Sequence, residues 1–538
     1  MAMLLCTALP CYAEGIGRTY YIDAENGDDS SSGLTENSAW KTLAAAEKNA
    51  CGAGDKILLK AGSVFDGSFR ANGSGTAENP VVLGSYGDIE TLGKPIIRSS
   101  NDVTLLTLNN VSGWTVENIE FTAPNGKGIY ITADNGGMAT DITVRNCTFH
   151  DIWYKQCPSY NGGHCPIMLS SSGAISRVRN VTLQDCDIYD CAYGINMSGL
   201  TREWTPDLYV SPEESYNTHF VIEGTSLNNI LYDAVIICSI HDMVIRDCAL
   251  INTSLNDDYY TAPMWSHHAD NYVIENCEIA GAKNEKDGMA VDFDGWTTNS
   301  TYQYIYSHDN VRFIRNCCYD NYTKNANCTV RYCLSVNDNK GENSMAQLLS
   351  SGSVNYAEDE AAVCMDNFKF YNNTLINCSE IFCSALSNST IANNIFVGNT
   401  ILDSMQYMHK GGDRVITKFD GLFTNNCFWN FGSSHIAKNN FLCNPKFVGT
   451  DETDKNSFIL STKSKLIGKG IQTEDDMGKH DFYGNPLTDV HNIGCYEGAG
   501  EEMIENTGFF KTVGHFFGTL LAGIACFIIN CNNTYWLF

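Results

Sequence analysis

One six-residue pattern recurs along the chain: apolar, any residue, Asn or Asp, then Cys, Asn or a small residue, any residue, apolar. It reads Val116-Glu117-Asn118-Ile119-Glu120-Phe121, then Val144-Arg145-Asn146-Cys147-Thr148-Phe149. Leu183–Ile188, Ile245–Leu250, Ile274–Ile279, Phe370–Leu375, Ile391–Phe396 and Phe423–Phe428 repeat it, with looser copies at Val221–Ser226, Tyr302–Ser307 and Val330–Ser335. Successive copies lie roughly 20 to 40 residues apart, the spacing of solenoid repeats. Each unit holds short alternating strands, so one side chain faces in and the next faces out. Asn tolerates the left-handed backbone that a corner requires, and stacked Asn amides can bond from coil to coil. A parallel β-helix accounts for these features together. A β-propeller is the rival, but its four-stranded blades and their signatures are absent.

Composition follows from this architecture. The 54 Asn and many of the 23 Cys are largely repeat-turn and core-stack residues, as in Asn146-Cys147, Asp185-Cys186, Asp247-Cys248 and Asn276-Cys277. A thiol that recurs at one point of a repeat behaves as a small buried hydrophobe. Without CxxC pairs a zinc ribbon is not expected, and many free thiols in an exported chain suggest a reducing habitat. Cys157 and Cys165 share one loop and could pair. The formal net charge of −28 disfavours nucleic acid and anionic lipid, which need Lys and Arg to displace counterions. It also weighs, less strongly, against a polyuronate substrate.

Both ends differ from the repeat. Residues 1–13 (MAMLLCTALPCYA) read as the remnant of a secretory signal peptide, with small Ala13 before Glu14. The expected location is therefore secreted, with cell-surface association open. In the tail, residues 508–538, Phe510, Val513, Phe517, Leu520, Leu521, Ile524, Phe527 and Ile528 recur at helical spacing. Thr512–Ile529 carries no formal charge over 18 residues, the lower limit for crossing a bilayer. An amphipathic C-terminal helix on a membrane or wall, a weak anchor and a helix capping the main domain are the readings, in that order.

A family resemblance covers residues 18–498. Thr19-Tyr20-Tyr21-Ile22-Asp23, Asn26-Gly27-Asp28-Asp29, Ala39-Trp40-Lys41-Thr42-Leu43 and Gly54-Asp55-Lys56-Ile57-Leu58-Leu59 resemble the opening of secreted right-handed parallel β-helix proteins. Asn444-Pro445-Lys446-Phe447, Asp481-Phe482-Tyr483-Gly484-Asn485-Pro486 and Asn492-Ile493-Gly494-Cys495-Tyr496-Glu497 resemble their final coils. These proteins form the pectate-lyase-like superfamily of carbohydrate-active proteins. The resemblance implies one all-β domain, a right-handed parallel β-helix solenoid, that acts as a monomer on a polysaccharide or oligosaccharide.

On such a solenoid the chemistry has to come from outward side chains and loops. Residues 283–310 are the densest candidate. In Ala290-Val291-Asp292-Phe293-Asp294, Val291 and Phe293 face in while Asp292 and Asp294 face out together. Their Cβ atoms would lie ~7 Å apart. One carboxyl could then be a general acid with a raised pKa and the other an ionised base or nucleophile. The run through Tyr304–His308 is expected as the next rung, which would bring His308 and Asp309 to the pair. The segment also resembles a motif of secreted β-helix enzymes, an Asp-rich strand followed by Gln-Tyr-Asn-Tyr-Ser-His-Asp-Asn. It matches at Asp292, Asp294, Gln303, Tyr304, Tyr306, Ser307, His308, Asp309 and Asn310, with Ile305 in place of the usual Asn.

The candidate catalytic residues are therefore Asp292, Asp294, His308 and Asp309. Asp287, Trp296, Gln303, Tyr304, Tyr306, Asn310, Trp265 and His267 are the candidate substrate contacts. Trp153-Tyr154, and Trp204 near Tyr209, could stack on sugars or anchor loops. A glycoside hydrolase is the leading reading, with no cofactor. A lyase would instead use Lys283, Lys286 or Lys324 as base and Ca²⁺ held by Asp287, Asp292 and Asp294. A non-catalytic glycan-binding surface protein is the third reading.

Overall fold

The computed structural model describes residues 17–153, 163–173, 175–200, 217–316, 325–340, 365–378, 386–398, 406–408, 414–416, 419–430 and 439–503. The leader, the tail from 508, Tyr154, Cys157, Trp204, Tyr209 and Lys324 lie outside the described residues.

The described chain divides into two units. The large one comprises residues up to Pro445 together with Leu466–Gly498. Its strands stack in parallel as one stack of 23 and one of 14, with a separate antiparallel pair at Gln406–Met408 and Arg414–Ile416. Thr19–Ile22 pairs with Lys56–Lys60, which pairs with Val81–Tyr86, and so on from coil to coil. Parallel neighbours joined by a full coil give a β-helix, right-handed by the sterics of parallel crossovers. Inward residues close the centre, with Phe121 stacked on Phe149 at 5.0 Å and Phe396 on Phe428 at 5.2 Å.

The repeated Asn or Asp makes the corner. Asn118, Asn146, Asp185, Asp247, Asn276, Asn372, Asn393 and Asn425 all have φ between 49° and 58°, the left-handed region. The residue after each turns inward. In the earlier coils this is a thiol: Cys147, Cys186 and Cys333 donate to the carbonyls of Arg145, Gln184 and Arg331 at 3.3–3.4 Å. In the later coils it is an amide. Asn373, Asn394 and Asn426 donate to Val330, Phe370 and Ile391 carbonyls, and each accepts the backbone N–H of the preceding coil. Cys165 is a free buried thiol, bonded to the Ile167 carbonyl.

The closing segment departs from expectation. Among the described residues the last strand is Phe441–Leu442. Leu466–Gly498 adds no further coil and instead runs back along earlier ones. Lys469 O takes Asn425 Nδ2, Ile471 O takes Asn393 Nδ2, Glu474 pairs with Lys369 at 2.6 Å, and Asp476 O takes Arg331 Nη1. The small unit, described over 446–465 and 499–503, has a short 3₁₀ turn at Lys455–Phe458 and an edge contact between Phe447 and Phe458. Among the described residues no helix is long and apolar enough to cross a membrane.

Candidate active site

Met289–Phe293 is a strand because Val291 and Phe293 fill the core while Asp292 alternates outward. The coil before it supplies Trp265 opposite Asp292 and Ser266 opposite Phe293. The coil after it supplies Arg315 opposite Asp292 and Asn316 opposite Phe293. Interior polar groups fix this strand from behind. Tyr302 Oη donates to the Asp292 carbonyl at 3.1 Å, and Asn325 Nδ2 donates to the Phe293 carbonyl at 2.9 Å. Ser266, Thr297 and Tyr272 form one hydroxyl chain beneath it, with contacts of 2.8–2.9 Å.

Outward does not mean exposed here. Asp292 and Asp294 are only 6% and 7% exposed. Asp287, on the loop before the strand, pairs with Arg315 Nη1 at 2.5 Å, so one guanidinium faces two carboxylates. Burial raises the Asp292 pKa well above the carboxylate range. The charge of Asp294 pushes it the same way, and Arg315 only partly opposes this. Asp292 Oδ1 is buried without a hydrogen-bond partner among the described residues. Burial also raises Asp287, against the attraction of Arg315 and Arg312. Arg312, itself buried, donates to the carbonyls of Glu285 and Lys286 and so supports the loop that carries Asp287.

Trp265 donates its indole N–H to Asp233 Oδ1 at 2.9 Å, and the same oxygen accepts the Ala262 N–H. Asp233 is 1% exposed, which fixes the indole one rung from Asp292. His267 and His268 share a 2.8 Å Nδ1–Nδ1 contact, and the His268 ring lies 6.0 Å from that of Trp296. Both His268 and Trp296 have left-handed φ; His268 bends the strand Met264–Glu275 without ending it, and Trp296 lies in the turn after Phe293. Trp153 is stacked on His164 at 4.0 Å and packs against the Met168–Tyr193–Tyr232 cluster, as a loop anchor does.

The expected convergence of His308 on the acid pair is not what the register shows. Tyr306–His308 lies in the other parallel stack, between Glu278–Ala280 and Leu334–Val336, and Arg312–Asn316 is the rung next to Asp292. There His308 bonds Glu278 and Asp309 at 3.1 and 3.0 Å and stacks on Tyr306 at 4.4 Å. Asp309 also pairs with Lys340 at 3.0 Å. Burial opposes the charged imidazolium, but the two carboxylates outweigh it and raise the His308 pKa. For Asp309, His308 and Lys340 outweigh burial and lower the pKa. His150 repeats the device with Glu120, Asp151 and a stacked Tyr189.

Gln303 bridges Glu275 and Arg331, Tyr304 stacks on His480 at 4.1 Å, and buried Asn310 bonds Ile279, Ser307 and Asp338. Gln303 and Asn310 tie coil to coil, and Tyr304 ties its coil to the closing segment. Arg315, Arg312 and Asp233 were missed by sequence reasoning, because no local pattern marks a residue one coil away. Among the described residues no group of three or more His, Cys, Asp or Glu side chains is arranged as metal ligands.

The fold is the right-handed parallel β-helix that the resemblance implied. Two crystal structures of a GH136 lacto-N-biosidase from Eubacterium ramulus share it. The selenomethionine derivative superposes with a TM-score of 0.51 at 20% identity, covering 79% of this chain and 67% of that one. The native protein gives 0.50 at 19%, with the same coverage. In sequence, the chain is 25% identical over 528 aligned residues to a lacto-N-biosidase of Bifidobacterium longum subsp. longum. That alignment covers 79% of this chain but 31% of the relative, so the chain spans about a third of that protein's length. No family model matches the chain.

Proposed function

We propose that the protein is a glycoside hydrolase whose chemistry is carried by Asp287, Asp292 and Asp294. The observation that carries this reading is the gathering of one buried and one half-buried carboxyl on Arg315, with Asp292 and Asp287 both held above the usual carboxylate range. Glycosidic cleavage needs one carboxyl that keeps its proton and one that is ionised. The acid must touch the glycosidic oxygen. Asp287 is the more open of the two raised groups, half-buried where Asp292 is buried. We therefore assign the acid role to Asp287 and the base or nucleophile role to Asp294. Asp292, buried on the rung beside Arg315, stabilises that arrangement. Trp265 offers an indole face to the sugar beside the acids.

The likeness to lacto-N-biosidases supports an oligosaccharide substrate, and one carrying lacto-N-biose is the first to test. The sequence leader supports action outside the cell. Product analysis on a panel of such oligosaccharides and of neutral and uronate polysaccharides tests the reading. New reducing ends without unsaturated products are expected. Unsaturated products would make it a lyase, and binding without cleavage a glycan-binding protein.

A further inference from the structure

Next to the loop that carries Asp287 stands a second loop, Asn256–Thr261, with two outward aromatic rings. Tyr260 is 70% exposed and Tyr259 37%. Scattered exposed aromatics are ordinary. These differ in how firmly they are held. Asn284, fully buried, donates through Nδ2 to the carbonyls of Asn256 and Tyr259 and to Thr261 Oγ1, at 2.5–3.0 Å. Its Oδ1 meanwhile accepts the backbone N–H groups of Lys286 and Asp287 at 3.0 and 2.9 Å. A single buried amide thus fixes the aromatic loop and the candidate acid to each other.

Further bonds tie the two loops. Glu285 N–H donates to Asp257 Oδ1 at 2.8 Å, and Lys286 Nζ donates to the Asp258 carbonyl at 2.8 Å. Lys286 Nζ also lies 5.5 Å from the centre of the Tyr260 ring. Ser254 Oγ secures the far end of the loop on the Thr261 carbonyl at 2.8 Å. Tyr259 is held edge-on against Tyr232, with ring centres 6.0 Å apart.

We propose that Tyr260, with Tyr259 beside it, is a stacking platform for a neutral sugar unit of the glycan, in a subsite adjoining the one where the bond is cleaved. The inference rests on the hydrolase reading and extends it to substrate length and charge. Rigid aromatic faces bind flat apolar surfaces at little entropic cost, and the C–H face of a pyranose is such a surface. The platform's surroundings set the charge it accepts. Asp257, Asp258 and Glu285 flank it, and the cation over the ring, Lys286, already serves the loop. A uronate would meet this acidic fringe unfavourably, whereas a neutral hexose or N-acetylhexosamine would not.

The test compares the full-length wild-type protein with Tyr260→Ala and Tyr260→Trp on neutral oligosaccharides of increasing length, with thermal unfolding as the folding control. Tyr260→Ala is expected to raise KM about three- to tenfold on the longer substrates, with an effect that grows with chain length. Tyr260→Trp, which keeps a ring, should restore KM. An unchanged KM at every length for a folded Tyr260→Ala overturns the platform while leaving the hydrolase reading intact. If the wild type cleaves nothing, the hydrolase reading fails and calorimetric titration with the same oligosaccharides decides the platform. Binding weakened by Tyr260→Ala supports it. Equal binding, no binding, or tighter binding of oligouronates overturns it.

Discussion

Two acidic clusters fewer than twenty residues apart in sequence have opposite electrostatic character. Buried Asp292 and half-buried Asp287 face one guanidinium and are pushed toward the neutral form. Asp309 lies at a corner between His308 and Lys340 and is pulled toward the charged form. The second arrangement recurs at His150, where no candidate acid pair exists, so it reads as a coil-to-coil clasp. The difference teaches that an ion pair which satisfies its charges stabilises, whereas a surplus of buried carboxyl stores reactivity.

Substitutions at the two clusters should therefore diverge. Asp287→Asn and Asp294→Asn are expected to lower kcat by about 10³-fold or more, with thermal stability kept, as measured by reducing-end release and calorimetry. Asp292→Asn should cost about 10- to 100-fold yet leave the melting temperature unchanged or higher, since an amide replaces a carboxyl that burial already disfavours. Asp309→Asn and His308→Gln should change kcat/KM by less than about threefold while lowering the melting temperature. Equal activity losses at both clusters would erase the distinction.

Arg315→Met probes the shared cation. Leaving half-buried Asp287 without its partner should cost about 1–2 kcal/mol in denaturant unfolding, because the carboxyl can take up a proton. It should also move the alkaline limb of the pH–rate profile upward, because Arg315 no longer lowers the pKa of the acid Asp287.

The smallest effect is in stability against pH. The raised folded pKa of His308 gives stability that is complete below about pH 6.5, the unfolded value, and lost as pH rises through the folded value. Asp309 works the other way. Its lowered pKa gives stability present above about pH 3.9 and lost as pH falls through the folded value. The double variant His150→Gln/His308→Gln should flatten the decline of melting temperature above neutral pH. An unaltered decline would mean the clasps carry no stability.

The coil was legible in the sequence because each corner needs a residue that accepts positive φ, and Asn and Asp mark those corners almost one per coil. The outward facing of Asp292 was legible from alternation with Val291 and Phe293. Their partners were not. Neighbours on this solenoid are separated by a whole coil: Glu275 meets Gln303, Gln303 meets Arg331 and Asp287 meets Arg315, each 28 residues on. His308, 16 residues after Asp292, is part-way round the coil and faces elsewhere. Coil length depends on loops whose size no local pattern fixes, so proximity in sequence was mistaken for proximity in space. The closing segment misled for a related reason. Its turns resemble coil corners, but it has no alternating strand to add to the stack.

The run of inward thiols makes the molecule its own strain gauge. Cys147, Cys186, Cys277 and Cys333 sit at the same corner of different coils, and burial suppresses their ionisation, pushing Cys186 up to about 11 and Cys333 to about 12. A thiolate-seeking reagent should pass over the native solenoid and mark only coils that open. Pulse alkylation read by peptide mass would then give, coil by coil and without an added label, the order in which the helix unzips.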